Sequence, residues 1–204
     1  MKFMKKALIG TVFALSLLML TGCTELSGLF KDFQEDWKGL TVNISTYDEN
    51  SQVIDSISGK SMKIERNKKF DTTDGDGSSR KDSSVLDITI GGKTITHVGS
   101  SLVAAESGLH NYFNDYAKTV DVMNSDRSIP ILNSMMNRFR NEWAPKSRVV
   151  LIRSQNGTPL ATYSGDSVAV ESTDVPKSTS LLIDGKRLFI YRCDFTVYDS
   201  SLLG

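Results

Sequence analysis

Little in this chain of 204 residues advertises its chemistry by abundance. Its two cysteines are too few for a disulfide-rich scaffold or a CxxC…CxxC zinc site. Its two histidines, His97 and His110, have no ligand-type residue at i+2 or i+4, so no zinc motif is present. Net charge is lacking too. The 24 Lys and Arg are balanced by 24 Asp and Glu, which excludes the basic footprint of a nucleic-acid binder. With 39% hydrophobic residues, the chain also lacks the composition of a disordered protein. Repeats, low-complexity linkers, a P-loop, a dinucleotide fingerprint and a G-x-S-x-G elbow are all missing. What remains is one folded domain with appendages.

The N-terminus carries the strongest pattern. Lys2, Lys5 and Lys6 precede an uncharged run from Ala7 to Leu20, and small residues follow. Basic start, apolar middle and small-residue end make up a secretory signal. The run falls short of the roughly 20 residues that span a bilayer. It ends in Leu20-Thr21-Gly22-Cys23, which resembles the lipobox of bacterial lipoproteins. That resemblance implies a signal peptide over residues 1–22, cut before Cys23, and a diacylglyceryl group with its palmitate-like chains on the Cys23 thiol. Cleavage there removes three lysines and no acids, leaving 182 residues with 21 basic against 24 acidic side chains, a net charge of −3. Cys193 is then left without a disulfide partner in the chain.

Beyond the signal, Leu26, Leu29, Phe30, Phe33 and Trp37 keep a helical period and predict a short stalk helix within residues 23–38. From Leu40 the period becomes alternating. Strands are predicted around Leu40–Ser45, Val53–Ile57, Met62–Ile64, Leu86–Ile90, Ile95–Val98 and Leu102–Ala104. Leu109, Tyr112, Phe113 and Tyr116 predict one amphipathic helix. Ile131, Leu132, Met135, Met136, Phe139 and Trp143 predict a second, ended by Pro145. Strands return at Val149–Ile152, Leu160–Thr162, Val168–Val170 and Leu181–Ile183. A long last arm over Leu188–Val197 aligns Phe189, Tyr191, Cys193, Phe195 and Val197 on one core face. The expected fold is α+β over residues 39–204: mainly antiparallel sheets with two central helices.

Candidate sites are sparse. Asp71, Asp74 and Asp76 lie in a segment without apolar side chains, residues 71–84. Clustered carboxylates suit calcium, but Thr72 and Ser83 fall where an EF-hand loop needs acids, so turn formation is the reading. Cys193 alternates with aromatics and reads as a small core hydrophobe. Tyr163, Tyr191 and Tyr198 suit either strand packing or the lining of a carbohydrate or peptide groove.

Beside the lipobox, residues 37–59, 81–92, 97–102, 150–166 and 173–199 resemble a family of surface lipoproteins of Gram-positive bacteria (streptococci, lactobacilli and relatives) built on a domain of unknown function. The resemblance implies a membrane-anchored setting on the extracytoplasmic side and no particular ligand or catalytic residue. The expectation is a non-enzymatic module, with no cofactor beyond the lipid on Cys23, that binds another envelope protein or a cell-wall component. The alternatives are a small solute-binding lipoprotein of a transporter and an envelope hydrolase.

Overall fold

The structure is a computed structural model that describes residues 37–118, 134–135, 137–138 and 146–203. These belong to one compact unit, Trp37–Gly204. The stalk helix lies outside the described residues but for its last apolar position. Trp37 is a buried turn residue, with its carbonyl accepting from Leu40 N.

Alternation of side chains along the chain sets the strands. They are β1 (Thr41–Tyr47), β2 (Val53–Lys60), β3 (Met62–Arg66), β4 (Leu86–Ile90), β5 (Lys93–His97) and β6 (Ser101–Glu106). After the helix α1 (Tyr112–Ala117) come β7 (Arg148–Arg153), β8 (Pro159–Gly165), β9 (Val168–Glu171), β10 (Ser178–Ile183), β11 (Lys186–Tyr191) and β12 (Asp194–Asp199). Every neighbouring pair is antiparallel. A central six-stranded sheet runs β2-β1-β6-β11-β10-β9, and two smaller sheets run β3-β4-β5 and β12-β7-β8. Two-residue turns close two hairpins at Gly91-Gly92 and Asp184-Gly185. All four of these residues have positive φ, the backbone that matches strand twist in a tight hairpin.

Because strand side chains alternate, the central sheet has two core faces. Val103, Ala105, Leu188, Ile190, Leu181 and Ile183 pack against Val150, Ile152, Ala161 and Tyr163 of the β12-β7-β8 sheet. Leu102, Ala104, Phe189 and Tyr191 take the opposite face. On that side the Tyr191 hydroxyl donates to the carbonyl of Ser84 at 2.7 Å, and the His97 ring stands edge-on to Tyr191 at 5.9 Å. Gly59 of β2 lies so close to Ile90 of β4 that an added Cβ would sit 2.7 Å from its Cγ1. The outer face of β7, Val149 and Leu151, receives Phe113 and Tyr116 of α1 together with Met135 and Leu203. Sheet, sheet, sheet and helix therefore stack around three apolar seams, more layers than the usual two. Each fully buried Leu, Ile or Phe contributes about 1.5–3 kcal/mol relative to leaving it exposed.

The α+β expectation with two central helices is corrected here. The fold is β-rich, and α1 has six residues and caps the outside of the β12-β7-β8 sheet. Its apolar period is genuine, with Phe113 and Tyr116 buried, but Leu109 precedes the N-cap, Asn111. The second expected helix, Ile131–Trp143, lies outside the described residues except Ser134, Met135, Asn137 and Arg138, which are helical.

The long C-terminal arm is corrected as well. Arg192 has φ +52, and the chain leaves the central sheet there to enter another as β12. Phe189 and Tyr191 therefore face away from the cluster against which Cys193, Phe195 and Val197 pack.

Candidate functional site

The Asp-rich segment folds upon itself. Asp71 is buried beside the guanidinium of Arg66 at 3.2 Å and accepts from Ser83 N and Ser79 Oγ. Asp74 pairs with Arg80, and Asp76 accepts from Ser78 N at 2.9 Å. Asp82 accepts from Thr72 N at 2.8 Å. A Thr73–Ser79 bridge closes the segment. The Ser78 amide hydrogen bond holds the Asp76 carboxyl below its ordinary pKa, and the Thr72 hydroxyl and amide do the same for Asp82. Among the described residues no group of three or more His, Cys, Asp or Glu is placed to hold a metal ion.

Cys193 donates to the carbonyls of Tyr191 and Leu102, and burial pushes its thiol up to about 12. Its environment is that of an inert thiol rather than a nucleophile. Tyr191 is buried, and Tyr198 accepts from Arg153 Nη2 at 2.9 Å. Leu20, Thr21, Gly22 and Cys23 lie outside the described residues. Among the described residues no helix is long and apolar enough to cross a membrane.

What the fold does gather is a cleft of about 400 Å³ beside α1. Its floor is the polar face of β1 and β2, with Asn43, Ser45 and Ser56, continuing into Val103 and Ala105 of β6. The β12-β7-β8 sheet covers β6 and β11 but leaves this corner open, which is why Asn43 and Ser56 remain exposed. Its wall is α1 and the turn before it. Asn111 fixes that wall twice, its Oδ1 accepting from Phe113 N at 3.1 Å as a helix N-cap and from Thr162 N of β8 at 3.0 Å.

Asp115 binds His110 Nε2 and Lys118 Nζ, each at 2.9 Å. The Lys118 hydrogen bond, before the other contributions, lowers its pKa, so the carboxylate stays charged well into acid. All three groups are solvent-exposed, and such a network orients side chains more than it stabilises the fold.

At the back of the cleft stand Tyr47 and Tyr163, whose phenols burial keeps protonated above their ordinary range. The His110 ring, held by Asp115 through Nε2, also stands edge-on to the Tyr112 ring at 4.5 Å.

His110 and Tyr163 are thus brought to one place, whereas His97 lines a different cavity and Cys193 lines neither. Sequence reasoning missed Asn43, Ser45, Ser56, Asn111, Asn114, Asp115 and Lys118. The signals available were the polar face of β1 and an Asn directly before an apolar helical period. No curated protein and no solved structure matches the chain. Residues 5–203 match the DUF5052 family, a domain of unknown function, and the chain belongs to it.

Proposed function

We propose that the protein is a lipoprotein tethered through lipid on Cys23 to the extracytoplasmic face of a membrane, and that its domain is a non-catalytic binding module for a sugar-rich component of the cell envelope. The tether rests on the sequence: Lys2, Lys5 and Lys6, the uncharged run to Leu20, and the lipobox-like Leu20-Thr21-Gly22-Cys23. One acyl chain holds a protein marginally and two hold it stably, so a diacylglyceryl group supplies a sufficient anchor. Cys23→Ser should abolish incorporation of radiolabelled palmitate and detergent-phase partitioning. Retention of both would refute the tether.

The binding reading is carried by the cleft of about 400 Å³. Pockets for small ligands span roughly 300–1,000 Å³, so one or two sugar rings fit. Asn43, Ser56 and Asn114 offer neutral donors and acceptors that match hydroxyl and acetamido groups. Ser45 lines the cleft between these groups, and Val103 and Ala105 close its inner end where the core begins. Soluble N-acetylglucosamine oligomers should raise the melting temperature, and Asn114→Ala should weaken binding at least fivefold without lowering the melting temperature of the free protein. No response to any such oligomer would refute the reading.

A solute-binding protein of a transporter is the second reading, favoured by the same volume. It predicts that a monomeric solute binds as tightly as the oligomer. A hydrolase predicts product release that His110→Ala abolishes.

A further inference from the structure

On the face of the central sheet opposite the cleft lies a second cavity, an apolar slot at a seam between two strand edges. The chain turns from β2 into β3 at one residue, Ser61 with φ +58, and passes from β5 into β6 through residues 98–100. The strands β2-β1-β6 and β3-β4-β5 are thereby joined at two corners. Among the described residues β2 pairs only with β1, and β5 only with β4. Between these two edges is a slot of about 210 Å³ lined by Ile44, Ile57, Ile88, Ile95 and Leu102, with Asp55 at the rim. Ile44, Ile88 and Leu102 are its buried floor, and Ile57 and Ile95 its half-exposed lips. Asp55 is exposed. Its carboxylate accepts from the Thr46 hydroxyl at 3.1 Å and has no ion-pair partner among the described residues.

Three features converge on one occupant. The volume lies below the roughly 300–1,000 Å³ of drug-sized ligand pockets, which leaves room for a single large apolar side chain. Among the described residues the outer edge of β2 has no strand partner; the Lys60 carbonyl at its end accepts from Gly91 N, and an added strand satisfies the backbone groups of the rest. The side chains of such a strand alternate, so every second one points over the slot. The unpaired carboxylate adds a charge preference, since a basic neighbour fits it and an acidic one is repelled.

We propose that this seam receives an extended peptide segment of a partner protein, paired edge-on with β2, with one large apolar side chain in the slot and a flanking Lys or Arg against Asp55. The site is independent of the sugar cleft. Ser56 and Ile57 are adjacent on β2 and point to opposite faces of the sheet.

The test uses the full chain in detergent and two fluorescent peptides, KVTLTVTK and EVTLTVTE, followed by anisotropy. The basic peptide should bind at least tenfold more tightly. Asp55→Lys should invert that preference, and Asp55→Asn, which keeps an acceptor for Thr46, should erase it. Melting temperatures should stay unchanged, and Asn114→Ala in the cleft should leave peptide affinity as it was. Binding of neither peptide, or a preference indifferent to Asp55→Lys, would overturn the proposal. So would a response to octylammonium alone, which assigns the slot to a small amphiphile. A concentration-dependent dimer that Asp55→Lys abolishes and the peptide does not compete would overturn it too, in favour of a second copy of the chain.

Discussion

At β6 and β11 the central sheet is covered on both faces, with Leu102, Ala104, Phe189 and Tyr191 buried on one side and Val103, Ala105, Leu188 and Ile190 on the other. At β2 the described residues leave the same sheet largely bare, and Val53 and Ile54 are each more than half exposed. Both regions are antiparallel strands in one hydrogen-bonded ladder, so the difference lies in what is stacked on them. The covered half carries the apolar burial that holds the fold. The bare end presents two cavities, one on each face, within the span of a few residues. Binding surface and stabilising surface are thus divided along one sheet, and changes at one end should leave the other largely untouched.

The sharpest way to break that division is paired truncation. Phe189→Ala removes a fully buried ring and should cost about 3–5 kcal/mol in a denaturant titration. Ile54→Ala, at 55% exposure, should stay within about 0.5 kcal/mol. Equal losses would show that the bare end carries as much of the fold as the covered one.

Cys193 packs, partly buried, against the seam under the covered half. With Cys23 replaced by Ser, Cys193 at pH 8 should react with a thiol probe about a thousandfold more slowly in the native protein than in denaturant, since burial pushes its pKa up to about 12. A native rate within tenfold of the denatured one would mean that the seam opens freely.

At the boundary between the regions, Asn111→Ala removes the N-cap of α1 and the acceptor for Thr162 N together. It should cost about 1–2 kcal/mol. It should also weaken sugar binding, because the cleft wall loses its tie to β8. A loss of stability with unchanged binding would separate the wall from the site.

The smallest effect is expected from acid. Hydrogen bonds hold Asp82 and Asp115 below the usual carboxylate pKa. A depressed folded pKa adds stability above the unfolded value of about 3.9, and that stability is lost as pH falls below it. Melting temperature should therefore be flat from pH 7 to pH 5 and drop only below about pH 4. Asp82→Asn should make the drop shallower. A decline beginning near pH 6 would point to groups other than these carboxylates.

Most strands were legible because their cause is local. Leu86, Ile88 and Ile90 alternate and end in Gly91-Gly92, and β4 has those bounds. Val149-Val150-Leu151-Ile152 reads as a strand buried on both faces, and the core lies on both sides of it. The break at Arg192 was not legible, since nothing in a continuous alternation over Leu188–Val197 marks one residue with positive φ as the point where the chain changes sheets. The cleft was half legible. Asn43 and Ser45 stand out as the polar face of β1, but only long-range pairing and the double grip of Asn111 bring them beside Asp115 and Lys118. Asp71, Asp74 and Asp76 crowd together in sequence, a pattern that suits a cation. In the fold their oxygens are taken up by neighbouring amides, hydroxyls and guanidinium groups.

Native-state hydrogen exchange, read residue by residue, tests the division of the sheet most directly. Amides over Leu102–Ala105 and Leu188–Tyr191 should exchange only through global unfolding, while those of β2 facing away from β1 should exchange orders of magnitude faster in the absence of ligand. Uniform protection from β2 to β10 would contradict the account.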